Sequence, residues 1–146
     1  MICRGNLNMV EASLRTHLLH DLSHFGLRIA VGVMFIVHSA GKFAIGSSGF
    51  FSSIGLPAEM ALLIGLLELI GGVLLIVGVL TRITASLLAM EMLIVMVWLK
   101  KLESFSGKSG LELELLAFVI LLTVIVLGPG KFSISHLVKK IPRFIQ

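Results

Sequence analysis

The chain of 146 residues has no tyrosine, one cysteine and one tryptophan, and only 14% of its residues are charged. A soluble domain carries about 25% charged residues, whereas here 57% of the residues are hydrophobic. A single cysteine excludes an intramolecular disulfide and a cysteine-based metal or redox motif. The sequence also has no GxGxxG loop, Walker loop or CxxC pair. These features favour an integral membrane protein with one compact domain and no separate soluble catalytic domain.

Four apolar runs are long enough to cross a bilayer, which takes roughly 17–25 helical residues. They cover about residues 25–43, 60–80, 83–99 and 111–127. The fold class predicted is therefore an all-α membrane protein with a four-transmembrane-helix bundle over 25–130. Residues 1–24 are predicted to form an N-terminal interfacial amphipathic helix, and 131–146 a basic cytoplasmic tail. No cleavable signal sequence is expected.

The positions of lysine and arginine predict the orientation in the cell membrane. Four crossings put both termini and the turn at 81–82 on one side, with eight of the 12 lysines and arginines. The positive-inside rule then places both termini in the cytoplasm. The net charge of +4 indicates contact with anionic lipid rather than with nucleic acid.

Glu68 lies in the middle of the second apolar run, where a carboxylate costs about 2.5–3.5 kcal/mol on insertion scales. Ala61, Gly65 and Gly72 share its helix face and form a small-residue seam on which another helix can pack. We therefore expect Glu68 to face the bundle, either with a partner or as a protonated structural carboxyl. The depth of His38 in the first run makes it the favoured partner of Glu68.

Two further residues complete a candidate polar pocket with His38 and Glu68. Lys42 is one helical turn beyond His38 on the same face, and Glu114 lies at the same predicted depth in the fourth run. We expect an ion pair between Lys42 and Glu114, although Lys42 could instead extend to the lipid headgroups. The remaining charged residues in or beside the spans are predicted to be structural or to bind lipid phosphate: Arg28, Arg82 and Glu91.

The histidines argue against a resident metal or haem. His17, His20 and His24 share one face of the N-terminal segment, and such a group is a weak metal-site candidate. Because interfacial helices often carry polar stripes of this kind, no metal site is predicted. Only His38 lies well inside a span, which excludes an intrachain bis-histidine haem in the bilayer. No intrinsic cofactor is therefore expected, and a partner or a diffusible quinone must supply any redox centre.

Several short motifs, in this order, resemble the DoxX family. They are Leu27-Arg28, Gly32, Phe35, His38-Ser-Ala-Gly-Lys42, Gly49-Phe50, Gly55-Leu-Pro57, Glu68-Leu-Ile-Gly-Gly-Val-Leu74, Gly78-Val-Leu-Thr-Arg82 and Gly128-Pro-Gly-Lys-Phe-Ser-Ile134. In the family an Asp commonly follows the last motif, where this chain has Ser135. The resemblance implies a four-helix membrane protein. It also implies a link to quinone oxidoreductases, since the family is named after a subunit linked to a terminal quinol oxidase.

Three functions are compatible with these features. The leading hypothesis is an accessory or quinone-interacting subunit of a membrane oxidoreductase complex, with His38, Lys42 and Glu68 at the quinone headgroup. The second is a structural or assembly protein whose polar residues join helices, alone or as a homo-oligomer. The third is a small proton-coupled transporter, for which a mid-membrane glutamate is typical. Whether the chain itself catalyses a reaction is left open.

Overall fold

The structure, a computed structural model, describes residues 18–44, 47–102, 105–106, 110–130 and 132–133. These residues form helices and connecting turns and contain no strand. The helices are α1 (Leu18–Phe43), α2 (Ser47–Ser53), α3 (Met60–Val77), α4 (Thr81–Ile94) and α5 (Glu112–Leu127), with a π-helical turn at Val95–Leu99. The protein is therefore all-α. His17, most of the amphipathic segment 1–24 and most of the tail 131–146 lie outside the described residues.

Three helical segments are long and apolar enough to cross a membrane: Leu19–Phe43, Met60–Val77 and Thr81–Leu99. The third consists of α4 and the π-helical turn that continues it. Helix α5 is as apolar but has 16 residues. Large apolar side chains on α3, such as Leu62, Leu63 and Ile70, are more than half exposed, as expected for a surface that faces lipid.

Helix α1 has no break where the amphipathic segment was expected to meet the first span. It runs without interruption from Leu18 to Phe43 over 26 residues. His24 and Arg28 therefore belong to the same rigid helix as His38 and Lys42. This continuity fixes the separation of two polar regions, one near each end of α1.

The tightest helix contact joins α1 to α3 through glycines. A Cβ added to Gly72 would lie 2.6 Å from the carbonyl oxygen of Gly32, so the two backbones touch. The buried residues of α3 include Ala61, Gly65, Glu68 and Gly72, which confirms the packing face predicted from their spacing. Gly41, in contrast, lies at no close helix contact, because a Cβ there would meet nothing within 4 Å.

The turn from α3 to α4 depends on a left-handed glycine. Gly78 has φ 78°, and its N–H donates to the carbonyl of Leu74 at 2.8 Å, which ends the helix in the usual way for a C-terminal glycine. Helix α4 starts three residues later and packs chiefly against α5. Fully buried Phe35, Leu75, Leu88 and Leu121, from α1, α3, α4 and α5, fill the common core.

Candidate functional site

A cavity of about 530 Å³ lies between the helices at the end of α1 that carries Lys42. Small-molecule sites are typically mainly apolar and measure about 300–1,000 Å³. Residues of all five helices and of the π-helical turn line the cavity, and most of them are apolar. Its ionisable lining residues are His38, Lys42, Glu68, Glu91 and Glu114. We call these five residues the cavity cluster.

The short helix α2 forms one wall of this cavity. Phe50 and Phe51 both line it and pack edge to face, with ring centroids 5.7 Å apart. Phe51 is 4% exposed, so α2 is anchored between the longer helices by an aromatic side chain. The loop between the first two spans thus contributes to the candidate site. Val95, Trp98 and Leu99 of the π-helical turn also line the cavity, and π-helical distortions occur frequently at functional sites.

An ion pair joins α1 to α3 inside the cluster. Lys42 Nζ lies 2.8 Å from Glu68 Oε1, and the Glu68 side chain is 2% exposed. The two residues come together because Gly65, one turn before Glu68, allows α1 to approach: its Cβ would lie 3.0 Å from Lys42 Cβ. Glu68 therefore faces the bundle, as predicted, with an ammonium as its partner. Its second oxygen, Oε2, is buried and accepts no hydrogen bond.

Glu91 places a second carboxyl group beside the first. Its side chain is near enough to Glu68 for a hydrogen bond between the two carboxyl groups, and it lies within electrostatic range of Lys42. Glu91 Oε2, like Glu68 Oε2, is buried and unpaired when both acids are ionised. Two acids thus face one lysine in this part of the cluster. Sequence reasoning classed Glu91 as structural, although its position in the middle of a span was the same signal that singled out Glu68.

A second ion pair lies at the start of α5. Lys100 Nζ is 2.7 Å from Glu114 Oε1, and their side chains are 26% and 15% exposed. Lys100 also donates a hydrogen bond to the carbonyl of Gly110 at 2.5 Å. This pair connects the end of the π-helical turn to α5. Glu114 Oε2 is buried without a hydrogen-bond partner.

The ring of His38 bonds to its own helix. His38 Nδ1 lies 2.8 Å from the carbonyl oxygen of Met34. Because a carbonyl oxygen only accepts, Nδ1 must carry the proton, and Nε2 of a neutral ring is then an acceptor. His38 lines the cavity, where a neutral ring in this tautomer offers an acceptor rather than a donor.

The predicted pairing of Lys42 with Glu114 is wrong. Lys42 binds Glu68, and Glu114 binds Lys100. The prediction used depth along the helix axes, which ranks residues by level but ignores the direction of a flexible side chain. The side chain of Lys42 extends toward Glu68 on α3 instead of toward Glu114, which was predicted to lie at the same depth. His38, the predicted partner of Glu68, bonds to Met34.

The opposite end of α1 holds a different kind of polar region, which we call the arginine end. Arg28 has no exposed surface and donates to four main-chain carbonyls. Its Nε and Nη2 bond to Leu75 and Ile76 at 2.8 and 2.9 Å, and Nη1 bonds to Pro129 and Phe132. Two of these carbonyls belong to the last turn of α3, where a cation stabilises the helix dipole.

Arg82 and His24, also at the arginine end, pack at least partly inside the protein. The Nε of Arg82 is buried without a partner and lies near Gly128. His24 is 4% exposed, packed against Gly130, whereas His20 is exposed. His17 lies outside the described residues, and within the described part of the chain no three potential metal-binding side chains come together.

Comparisons with known proteins agree with this architecture. The family model described as DoxX matches residues 24–101. This segment covers α1 from His24 onwards and all of α2, α3 and α4, and it includes Arg28, Lys42, Glu68 and Glu91. The chain belongs to the DoxX family. Multi-pass insertion in a membrane follows from this membership and the three helices that can span it. Glu114 lies beyond the matched segment.

Two curated relatives cover most of the chain. One, from Bacillus subtilis (strain 168), is named "Putative oxidoreductase CatD" and is 39% identical over 104 residues, 70% of this chain and 74% of its own length. The other, an uncharacterized protein of Haemophilus influenzae (strain ATCC 51907 / DSM 11121 / KW20 / Rd), is 34% identical over 117 residues, 75% of this chain and 86% of its own. No solved structure matches the chain significantly.

Proposed function

We propose that this DoxX protein is an accessory subunit of a membrane oxidoreductase complex and binds a quinone in the cavity. The observation that carries the proposal is the convergence of His38, Lys42, Glu68 and Glu114 on one largely apolar cavity. These four residues were selected from sequence as a polar pocket, and they come from three different long helices. The relative named as an oxidoreductase supports the same chemical class.

The cavity offers both polar features that a quinone and its reduced form require. A quinone needs a donor to its carbonyl oxygens, and the ammonium of Lys42 is a donor within the cluster. A quinol needs an acceptor for its hydroxyl, and Nε2 of neutral His38 is one. The apolar lining suits the ring and the start of an isoprenoid tail. Because the sequence carries no nucleotide-binding or cysteine motif, electrons would pass to a redox centre in a partner subunit.

The proposed placement has four crossings and both termini in the cytoplasm. Helix α5 is about 24 Å long at 1.5 Å per residue, which is short for a span. The π-helical turn, which contacts α5, adds apolar side chains at the end of the bundle where α5 begins. With α5 as the fourth crossing, the cavity cluster lies at the half of the bilayer away from the cytoplasm. A quinone dissolved in the membrane would enter between helices.

The single tryptophan provides a direct binding assay. Trp98 lines the cavity and is the one tryptophan of the chain, so a bound quinone should quench its fluorescence. Titration of the full chain in detergent with a short-chain benzoquinone should give saturable quenching. Lys42→Met, which removes the donor, and Glu68→Gln, which removes the carboxylate that positions it, should each raise the Kd of the benzoquinone about tenfold, as the loss of a hydrogen bond worth roughly 1.4 kcal/mol implies. His38→Ala should instead raise the Kd of the corresponding benzoquinol, whose hydroxyl needs the acceptor.

The control for this assay is Glu112→Gln, which neutralises an exposed carboxylate at the start of α5. Its Kd should equal that of the unmodified chain. Linear, non-saturating quenching, or identical constants in all variants, would contradict quinone binding. Loss of stability without a change in Kd in Glu68→Gln would instead support a structural role for the cluster.

A further inference from the structure

The cavity cluster contains more acid than base around Glu68. The charged and titratable groups that line the cavity are His38 and Lys42 from α1, Glu68 from α3, Glu91 from α4 and Glu114 from α5. Glu114 is neutralised by Lys100 at 2.7 Å, and Glu68 by Lys42 at 2.8 Å. Glu91 is therefore the surplus acid, in an environment where an uncompensated charge is costly.

A single proton between the two acids would neutralise the surplus charge and give their unpaired oxygens a hydrogen bond. Glu68 Oε1 bonds to Lys42, while Oε2 of Glu68 and Oε2 of Glu91 are buried without partners. The two side chains are close enough for a carboxyl–carboxyl hydrogen bond, which forms only if one of them is protonated. A shared proton makes the set of Lys42, Glu68 and Glu91 neutral.

We propose that Glu68 and Glu91 share a single proton and that, when a ligand carbonyl enters the cavity, Glu91 keeps this proton and redirects its hydrogen bond from Glu68 to the ligand. Glu68 is 1% exposed and its Oε1 is engaged with Lys42, whereas Glu91 is half-buried and lines the cavity. Glu91 is thus the member that a ligand carbonyl can reach. The shared proton does not require the proposed function, but the role of Glu91 toward a quinone rests on it.

Infrared absorption tests the shared proton without any ligand. The full chain in detergent at neutral pH should show the C=O stretch of a protonated carboxyl, shifted in D₂O. Glu91→Gln and Glu68→Gln should each abolish it, because the remaining acid then pairs with Lys42 as a carboxylate. Lys42→Met should about double the band, since two acids without a cation are both neutral. Glu112→Gln is the matched control and should leave it unchanged.

Absence of the band in the unmodified chain, or its full persistence in Glu91→Gln, would overturn the shared proton. The ligand step is tested at a quinone concentration that saturates Trp98 quenching. The band should then shift, and an unchanged band would overturn the role of Glu91 as donor. If no quinone binds although the band behaves as expected, the proposed function fails while the shared proton stands.

Discussion

Arg28 and the cavity cluster, at opposite ends of α1, treat buried charge in opposite ways, although Arg82 Nε at the arginine end also lacks a partner. At the arginine end, Arg28 directs its donors to four main-chain carbonyls, and Gly78 packs against it. At the cavity end, side chains pair with one another, three carboxylate oxygens lack partners, and a cavity of about 530 Å³ adjoins them. A charge that is fully bonded to backbone has no capacity left for a ligand. A charged group with unpaired atoms beside a cavity can still bind a ligand.

Glycines show the same difference. A Cβ at Gly78 would collide with the guanidinium of Arg28 and lie 2.5 Å from Ser133 Cβ. Gly41, next to Lys42 in sequence, has open space around its Cα, as do Gly49 and Gly55. The arginine end is therefore closed by packing at Gly78, whereas the cavity end is open at Gly41 and along α2 but tight at Gly65, which meets Lys42. We interpret the first as the structural anchor of the bundle and the second as the ligand site.

The largest effect is expected from Arg28→Met, which leaves four carbonyls without a donor. Each buried group left unpaired costs about 1–3 kcal/mol, so we expect a loss of at least about 3 kcal/mol in the free energy of unfolding. Arg28→Lys should recover little of this stability, because an ammonium cannot reproduce the planar arrangement of N–H donors of the guanidinium. Denaturant unfolding in micelles measures this, with exposed Lys101→Met as the control. A stable Arg28→Met variant would remove the assignment of an anchor.

Gly78→Ala should be the next most harmful change. Its φ of 78° disfavours an L side chain, and the added methyl would displace Arg28 and Ser133. We expect a loss of about 2 kcal/mol. The matched substitution Gly41→Ala enters open helical space and should be neutral or stabilise by up to about 1 kcal/mol. Equal effects of the two changes on the unfolding free energy would contradict the contrast in packing.

The ion pairs of the cavity end should couple less strongly than the arginine network. For Lys42→Met and Glu68→Gln, a double-mutant cycle should give a coupling energy of roughly 2 kcal/mol, because Glu68 is buried. The cycle of Lys100→Met with Glu114→Gln should give less than about 1 kcal/mol, since both side chains are partly exposed. Denaturant unfolding of the single and double variants measures both. A larger coupling energy for Lys100 and Glu114 than for Lys42 and Glu68 would contradict this order and make the pair at α5 the stronger one.

The orientation of Glu68 was predictable because a helix repeats every 3.6 residues, so three small residues fixed its face. The partner of Glu68 was not predictable from depth alone. Lys42 spans the difference in level with four methylenes, and its direction depends on contacts with α3. Glu91 was given only a structural role, because the sequence of α4 gave no seam to orient it. The four acceptors of Arg28 lie 47 to 104 residues away in the chain, so a local sequence pattern could not predict them.

Photolabelling with an azido-benzoquinone, followed by peptide mapping, compares the two ends most directly. The account predicts labels on cavity residues such as Met90 and Trp98, protection by unlabelled quinone, and reduced labelling in Glu68→Gln but not in Glu112→Gln. Competable labels beside Arg28, for example on Phe25, or labels that excess quinone fails to displace, would contradict the claim that the cavity end is the ligand site.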